Sequence, residues 1–239
     1  MKRALFPIII FSLMLYACEI LFPCLEGNGV ITTENRSVNS FTTVNNTSEF
    51  DVTIEYSANA TISVKADENL QQYIRTYVQN GELILETDQD RCLQPQEPIV
   101  VTVYCPYLES VILSGSGDID MYDITSDYLN LTLSGSGDIN ASNIIATNSL
   151  EMYLGGSGDI TIDGKAASAQ YYLTGSGDIH GEMMRADKCS IVLSGSGDVY
   201  TYVYTSLKIV LSGSGNVYYY GDPEEIEQRV TGSGVVIKK

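Results

Sequence analysis

The chain has one histidine, His180, no tryptophan, and 13 lysines and arginines among 239 residues. A lone histidine cannot build the multi-histidine zinc sites on which many hydrolases depend. Thirteen cations against 30 acids leave a formal charge of −17. That balance excludes nucleic-acid binding through a basic surface, because neutralising phosphates takes clustered Lys and Arg. The N-terminal apolar run, Ala4 to Ala17, is too short and too sharply ended for a good spanning helix. What is abundant is glycine (21), tyrosine (17) and a 44% hydrophobic share, enough apolar surface for an extended core.

The basic Met1-Lys2-Arg3, the apolar run and Leu15-Tyr16-Ala17-Cys18 form an export signal. Ala17-Cys18 resembles a bacterial lipobox, which is cut before the cysteine so that Cys18 carries the lipid. Ordinary secretory cleavage after the same Ala17 is the alternative, and both readings send the protein out of the cytoplasm. Residues 1–17 are then a signal peptide and 18–26 a lipidated tether. An acidic body on such an anchor is repelled by anionic head groups and projects away from the membrane. Cys92 and Cys105 flank a Pro-bearing segment and are the candidate disulfide. Cys24 falls in the tether.

The C-terminal half is a repeat. Leu113-Ser-Gly-Ser-Gly-Asp-Ile119 recurs from Leu133, Leu154, Leu173, Leu193 and Leu211, and a degenerate copy runs from Val230 to Val236. The first glycines of successive triplets lie 20, 21, 19, 20, 18 and 19 residues apart, the signature of a solenoid whose loops absorb one-residue slips. Apolar residues alternate within each unit, as in Leu129, Leu131 and Leu133 or Leu150, Met152 and Leu154, so the units are strands. Continuing that parity places the motif glycines and the final Ile inward, with Ser, Ser and Asp outward. The glycines then let the backbone bend tightly or approach an opposite wall, or else they serve a turn with positive φ. Cys189 fills the slot of Leu129, Leu150 and Leu207, and reads as a buried thiol.

The fold expected is all-β, a right-handed parallel β-helix with coils of about 20 residues rising ~4.8 Å each. Residues 111–239 form the repeat and 27–110 a β-rich region that continues or caps it. In that region, the segments from Phe50 to Tyr56, Thr61 to Val64, Glu82 to Glu86 and Ile99 to Tyr104 read as strands, and Asn80-Gly81 as a hairpin turn. Asp67 to Val78 reads as a helix or bulged loop, and Asn45 to Ser48 and Gln89 to Pro98 as loops. The degenerate last repeat and the charged Asp222 to Glu227 loop read as a cap against edge pairing.

Gly27-Asn-Gly29-Val30, Glu34-Asn-Arg36 with Val38 and Phe41, Val64-Lys-Ala-Asp-Glu-Asn-Leu70, Asn80-Gly81-Glu-Leu83 and the repeated Gly-Ser-Gly-Asp together resemble the bacterial family described as "putative auto-transporter adhesin, head GIN domain". The resemblance runs from about Gly27 to the C-terminus. It implies a secreted or surface β-helical protein, typical of Bacteroidetes, with an adhesive role and no catalytic residues.

Stacked coils turn equivalent outward residues into columns. Asp118, Asp138, Asp159, Asp178 and Asp198, followed by Asn216, form one. Carboxylates at coil spacing repel by about 1 kcal/mol per pair in water, so they require solvation, bonds to turn amides, or cations. Ca²⁺ held between Asp and Ser oxygens is one expectation; each Asp capping the N–H groups of its own turn is the other. Farther along, the column of Asp120, Asn140, Thr161, His180, Tyr200 and Tyr218, and that of Tyr122, Ser142, Asp163, Glu182, Tyr202 and Tyr220, turn aromatic toward the C-terminus. Tyr200, Tyr202, Tyr218 and Tyr220 are therefore a candidate face for sugar rings or a protein partner, or else a ladder of rings stacked on one another. His180 reads as an ordinary surface residue.

The function expected is that of a non-enzymatic lipoprotein of the outer membrane or cell surface. Its β-helix presents a repetitive polar face to glycans or a surface protein. The alternatives are a polysaccharide-acting β-helix enzyme and a ligand-free spacer. Against the enzyme, the repeat carries few cations and its acids recur identically, whereas catalytic carboxyls are singled out by their neighbours.

Overall fold

The computed structural model describes residues 24–88 and 91–239. The expected signal peptide and Cys18 lie outside the described residues. The chain forms a β-solenoid of about six turns. Each full coil has three runs. The first follows the motif, as in Ile119–Tyr122, which pairs in parallel with Val52–Glu55 on one side and Ile139–Ser142 on the other. A second, short run pairs Thr125 and Ser126 with Ile145 and Ala146, and those with Lys165 and Ala166. The third carries Leu129 to Leu133 beside Leu150 to Leu154. The chain turns between the first two runs at Asp123, Asn143 and Gly164, all with positive φ. It returns to the first run through the Ser-Gly-Ser-Gly-Asp corner.

The interior follows the alternation in the sequence. Leu113, Leu133, Leu154, Leu173, Leu193 and Leu211 form one buried column, and Ile119, Ile139, Ile160, Ile179, Val199 and Val217 another. Tyr171 takes the place held by Met152 below and Ile191 above. Its ring crosses to Gly181, where an added Cβ would lie 3.0 Å from the phenol oxygen; a large residue on one wall is matched by none on the other.

The N-terminal region both continues and caps the solenoid. Asp51–Tyr56 and Thr43–Asn46 extend the first and third runs in parallel. Beyond them the pairing turns antiparallel: Thr61–Asp67 pairs with Val100–Cys105 and with Ile31–Arg36, and Ile74–Gln79 with Glu82–Thr87. The last pair turns at Asn80 and Gly81, both at positive φ. The segment from Asp67 to Val78 is a short 3-10 turn, Gln71–Tyr73, between two strands. Arg36 ties this cap together, donating to the carbonyls of Ile74 (2.6 Å) and Gln71 (3.0 Å). The fully buried Asp67 accepts N–H bonds from Gly29 (2.7 Å) and Gln96 (3.0 Å). A Cβ at Gly27 would meet the same carboxylate, so the Gly27 to Val30 stretch folds around Asp67.

The expected disulfide is corrected. Cys92 pairs with Cys24, not with Cys105. Leu25–Glu26 adds in parallel to Leu93–Gln94, bringing the two cysteines to a Cα separation of 4.5 Å. Cys105 ends a strand whose alternation turns it into the core, so it is a free, buried thiol. Cys24 to Glu26, expected in the tether, thus belong to the folded body. Cys189 is also free and buried, as expected. Burial pushes the Cys105 thiol up to about 11 and the Cys189 thiol up to about 12, because an apolar interior disfavours thiolate.

Candidate functional site

The repeated corner dictates the most regular surface of the molecule. In each of the six full copies the Leu and the Ile or Val are buried and both serines (or their Thr and Gly155 replacements) are exposed. The second glycine is buried, as parity predicts. Two of the expected reasons for the glycines do not hold, however. None of the motif glycines has positive φ, and none faces an opposite wall. A Cβ at Gly135 would lie 1.9 Å from the carbonyl oxygen of Gly115, and one at Gly137 2.1 Å from that of Gly117. The obstacle is the backbone of the preceding coil, along the stack.

Glycine at these positions lets successive corners nest. The result is an open trough of about 600 Å³ running across four coils, from Ser114-Gly115-Ser116 to Gly175-Ser176. The hydroxyls along its length recur at coil spacing, roughly 4.8 Å. At its N-terminal end it meets a second hollow lined by Thr47, Ser48, Glu49, Glu86 and Thr87. Those residues expose a corner that sequence reasoning missed. Asn46 stands in register with Leu113 and Val52 with Ile119, so the stretch from Asn46 to Val52 is a divergent copy of the motif, with Ser48 and Phe50 where glycines stand later. The trace visible in sequence is Phe50-Asp51-Val52, which matches the Gly197-Asp198-Val199 form of the motif in all but the glycine.

The aspartates form the column expected of them, and its chemistry is inter-coil. The Oδ1 of Asp118 accepts the N–H of Asp138 (2.8 Å), Asp138 that of Asp159 (2.8 Å), and Asp159 that of Asp178 (2.7 Å). Asp178 and Asp198 continue to Asp198 and Asn216 at 2.7 and 2.6 Å. Asp51 begins the ladder by accepting from Asp118, and Asn216 ends it on Val235. Each carboxylate thus caps the next coil's turn rather than its own. Among the described residues no three His, Cys, Asp or Glu side chains converge as a metal cage. Replacing Asp159 by Ala is expected to cost about 1 kcal/mol, whereas Asp159→Asn, which copies Asn216, should change stability by no more than about 0.5 kcal/mol. Denaturant titration separates the two. A Ca²⁺-bridged ladder would instead raise the melting temperature of the parent protein with calcium and lose that rise in the Asn variant.

Two of the four tyrosines, Tyr200 and Tyr218, are brought together as a stack with His180. The His180 and Tyr200 rings lie 5.0 Å apart at 14°, and Tyr200 and Tyr218 4.8 Å apart at 12°. Lys239 Nζ sits 4.9 Å from the centre of the Tyr218 ring. His180 is consequently part of a ring ladder, half-buried rather than free on the surface. Burial raises the Tyr200 phenol, with help from the Asp198 carboxylate. Tyr220 is in register with Tyr202. Tyr202, however, pairs back to Arg185 instead of Glu182, because the register slips between Gly181 and Arg185. All four tyrosines of the expected face are half-buried; the facing rings of Tyr200 and Tyr218 are taken up in the stack, while Tyr202 meets Tyr204 edge-on.

A family model described as "Putative auto-transporter adhesin, head GIN domain" matches residues 40–223. Among solved structures, the fold is similar to a "putative adhesin" of Bacteroides fragilis at 20% identity and TM-score 0.85, covering 90% of this chain and 100% of that one. A "putative lipid binding protein" of Parabacteroides distasonis aligns at 25% identity and TM-score 0.74, over 90% of this chain and 99% of that one. A "putative adhesin" of Parabacteroides merdae aligns at 22% and 0.72, over 90% and 98%. No curated protein sequence matches the chain.

Proposed function

The chain belongs to the family described as "Putative auto-transporter adhesin, head GIN domain", and from that premise we propose that it is an exported, lipid-anchored, non-enzymatic surface protein that holds extended glycan chains along its serine trough. The observation that carries this reading is the trough itself. Exposed hydroxyls repeat in register across four coils on backbone that neighbouring coils lock in place. A row of donors and acceptors at fixed intervals suits a polymer that presents its own hydroxyls at regular intervals. Rigid placement also limits the ordering cost of binding.

Several features favour binding over catalysis. The motif aspartates beside the trough all do the same thing, accepting the amide of the next coil, and none of them has a cation within ion-pair distance. The lipid-binding description of the Parabacteroides distasonis protein has no interior counterpart among the described residues, whose core columns are filled by side chains with almost no exposure. Anchoring through Cys18 accounts for the signal-like N-terminus, and an oxidising compartment suits the Cys24–Cys92 bond.

The test is a glycan array probed with the purified body and with a Ser134→Ala, Ser136→Ala, Ser157→Ala variant. These side chains are exposed, so the fold should survive. Selective binding that drops at least about tenfold in the variant supports the trough. Binding that survives it moves the site elsewhere, and silence across neutral and acidic glycans removes the glycan reading. Loss of fatty-acid labelling on Cys18→Ala in cells tests the anchor.

A further inference from the structure

On the side of the coil away from the trough, the second run carries two grooves that adjoin at Lys165 and Arg185, of about 420 and 530 Å³, within the roughly 300–1,000 Å³ range of small-ligand sites. We propose that this groove binds the carboxylate of an acidic sugar, such as a uronic or sialic acid unit in an otherwise neutral glycan.

Charge is the first argument. In a chain of formal charge −17, cations are scarce, and several have an acid at hand, as Lys65 has Glu97 and Lys208 has Glu227. Lys165 and Arg185 are set apart by their adjacency. They are register partners on adjacent coils, both exposed, and among the described residues neither has a carboxylate within the 4.0 Å of an ion pair. Two like charges side by side repel, and an anion between them turns that repulsion into attraction. A guanidinium beside an ammonium suits a carboxylate, the first through its planar fork of donors.

The flanks supply the second argument. Arg185 Nη1 lies 3.3 Å from the Tyr204 hydroxyl, and its guanidinium 5.7 Å from the centre of the Tyr202 ring, which holds the fork in one orientation. Tyr204 is 44% exposed, Ile145 40% and Met183 64%. These are apolar surfaces in contact reach of the C–H faces of a sugar ring. Two carboxylates also line the grooves. Asp163 already accepts the N–H of Asn143 at 2.8 Å, while Asp187 stands exposed on the rim.

The body's charge selects among anions. A dense polyanion or an anionic bilayer meets the whole acidic surface, whereas one carboxylate feels mainly the two nearest cations, other charges being screened beyond a Debye length of about 8 Å. An isolated acid on a neutral sugar chain is therefore the favoured occupant. This site rests on different residues from the trough and stands or falls separately.

Calorimetric titration of the intact exported chain with glucuronate and with N-acetylneuraminate, against glucose, is the test. Binding of either acid, absent for glucose, weakened by salt, lost by at least about tenfold in Lys165→Ala, Arg185→Ala, and strengthened in Asp187→Asn, supports the proposal. The double variant must keep the parent's melting temperature. The triple serine variant should bind the acids unchanged, which separates this site from the trough. No binding of either acid, equal binding by the double variant, or a preference for anionic lipid vesicles overturns it.

Discussion

Replacing Gly156 by alanine is expected to destabilise the solenoid by about 3 kcal/mol or more, although alanine is small and the backbone there has an ordinary φ. The added Cβ would lie 2.0 Å from the carbonyl oxygen of Gly135. The obstacle is a backbone carbonyl held in the inter-coil ladder, so no side chain can swing aside. Opening the gap to an ordinary contact parts the two coils where Gly156 N–H bonds Leu133 (3.2 Å) and Ser157 N–H bonds Gly135 (3.1 Å). The internal control is the residue before it. Gly155 stands where the other coils carry Ser or Thr, and a Cβ there meets only the Thr174 hydroxyl at 3.5 Å. Gly155→Ser should therefore fall within about 0.5 kcal/mol of the parent. Chemical denaturation of the two variants decides it. Equal stability would mean that the motif glycines serve something other than coil approach.

That asymmetry also explains what the sequence displayed and what it hid. Repeat length, strand alternation and the inward parity of Leu and Ile were legible because side-chain direction along a strand is a local property. The reason for the glycines was not, because the atom that excludes a Cβ belongs to a residue about 20 positions away. The same fact hid the first corner. Each motif glycine is crowded by the coil on its N-terminal side. Gly115 and Gly117 meet Ser48 and Phe50, but those two have no earlier corner beneath them and keep their side chains. The slip that places Tyr202 beside Arg185 depends on how a corner absorbs a short coil, which spacing alone does not specify. Lys165 and Arg185 were visible only as scarce cations; their adjacency needed the register.

Removing the Cys24–Cys92 bond is expected to have the largest effect on the N-terminal cap. The two cysteines are 68 residues apart, and constraining a loop of that length in the unfolded chain corresponds to about 4 kcal/mol in the chain-entropy account. The loop contains Ile31–Arg36, Thr61–Asp67 and the Ile74–Thr87 hairpin, hence most of the antiparallel cap. It also holds Leu25–Glu26 on Leu93–Gln94, a two-residue pairing too short to persist unaided. A solenoid's stability is a sum over neighbouring units, so the loss should not spread evenly. In a Cys24→Ser, Cys92→Ser variant, amides of Ile31–Arg36 should lose hydrogen-exchange protection, while those between Ile139 and Leu211 keep theirs. The melting temperature should fall by on the order of 10 °C. Cys105 and Cys189 do not confound the comparison, since both are buried with raised thiol pKa values, leaving little thiolate to re-pair in the native state. Uniform loss of protection along the whole rod would instead show that cap and coils fold as one cooperative unit, and an unchanged cap would show that the Arg36 and Asp67 networks hold it without the covalent link.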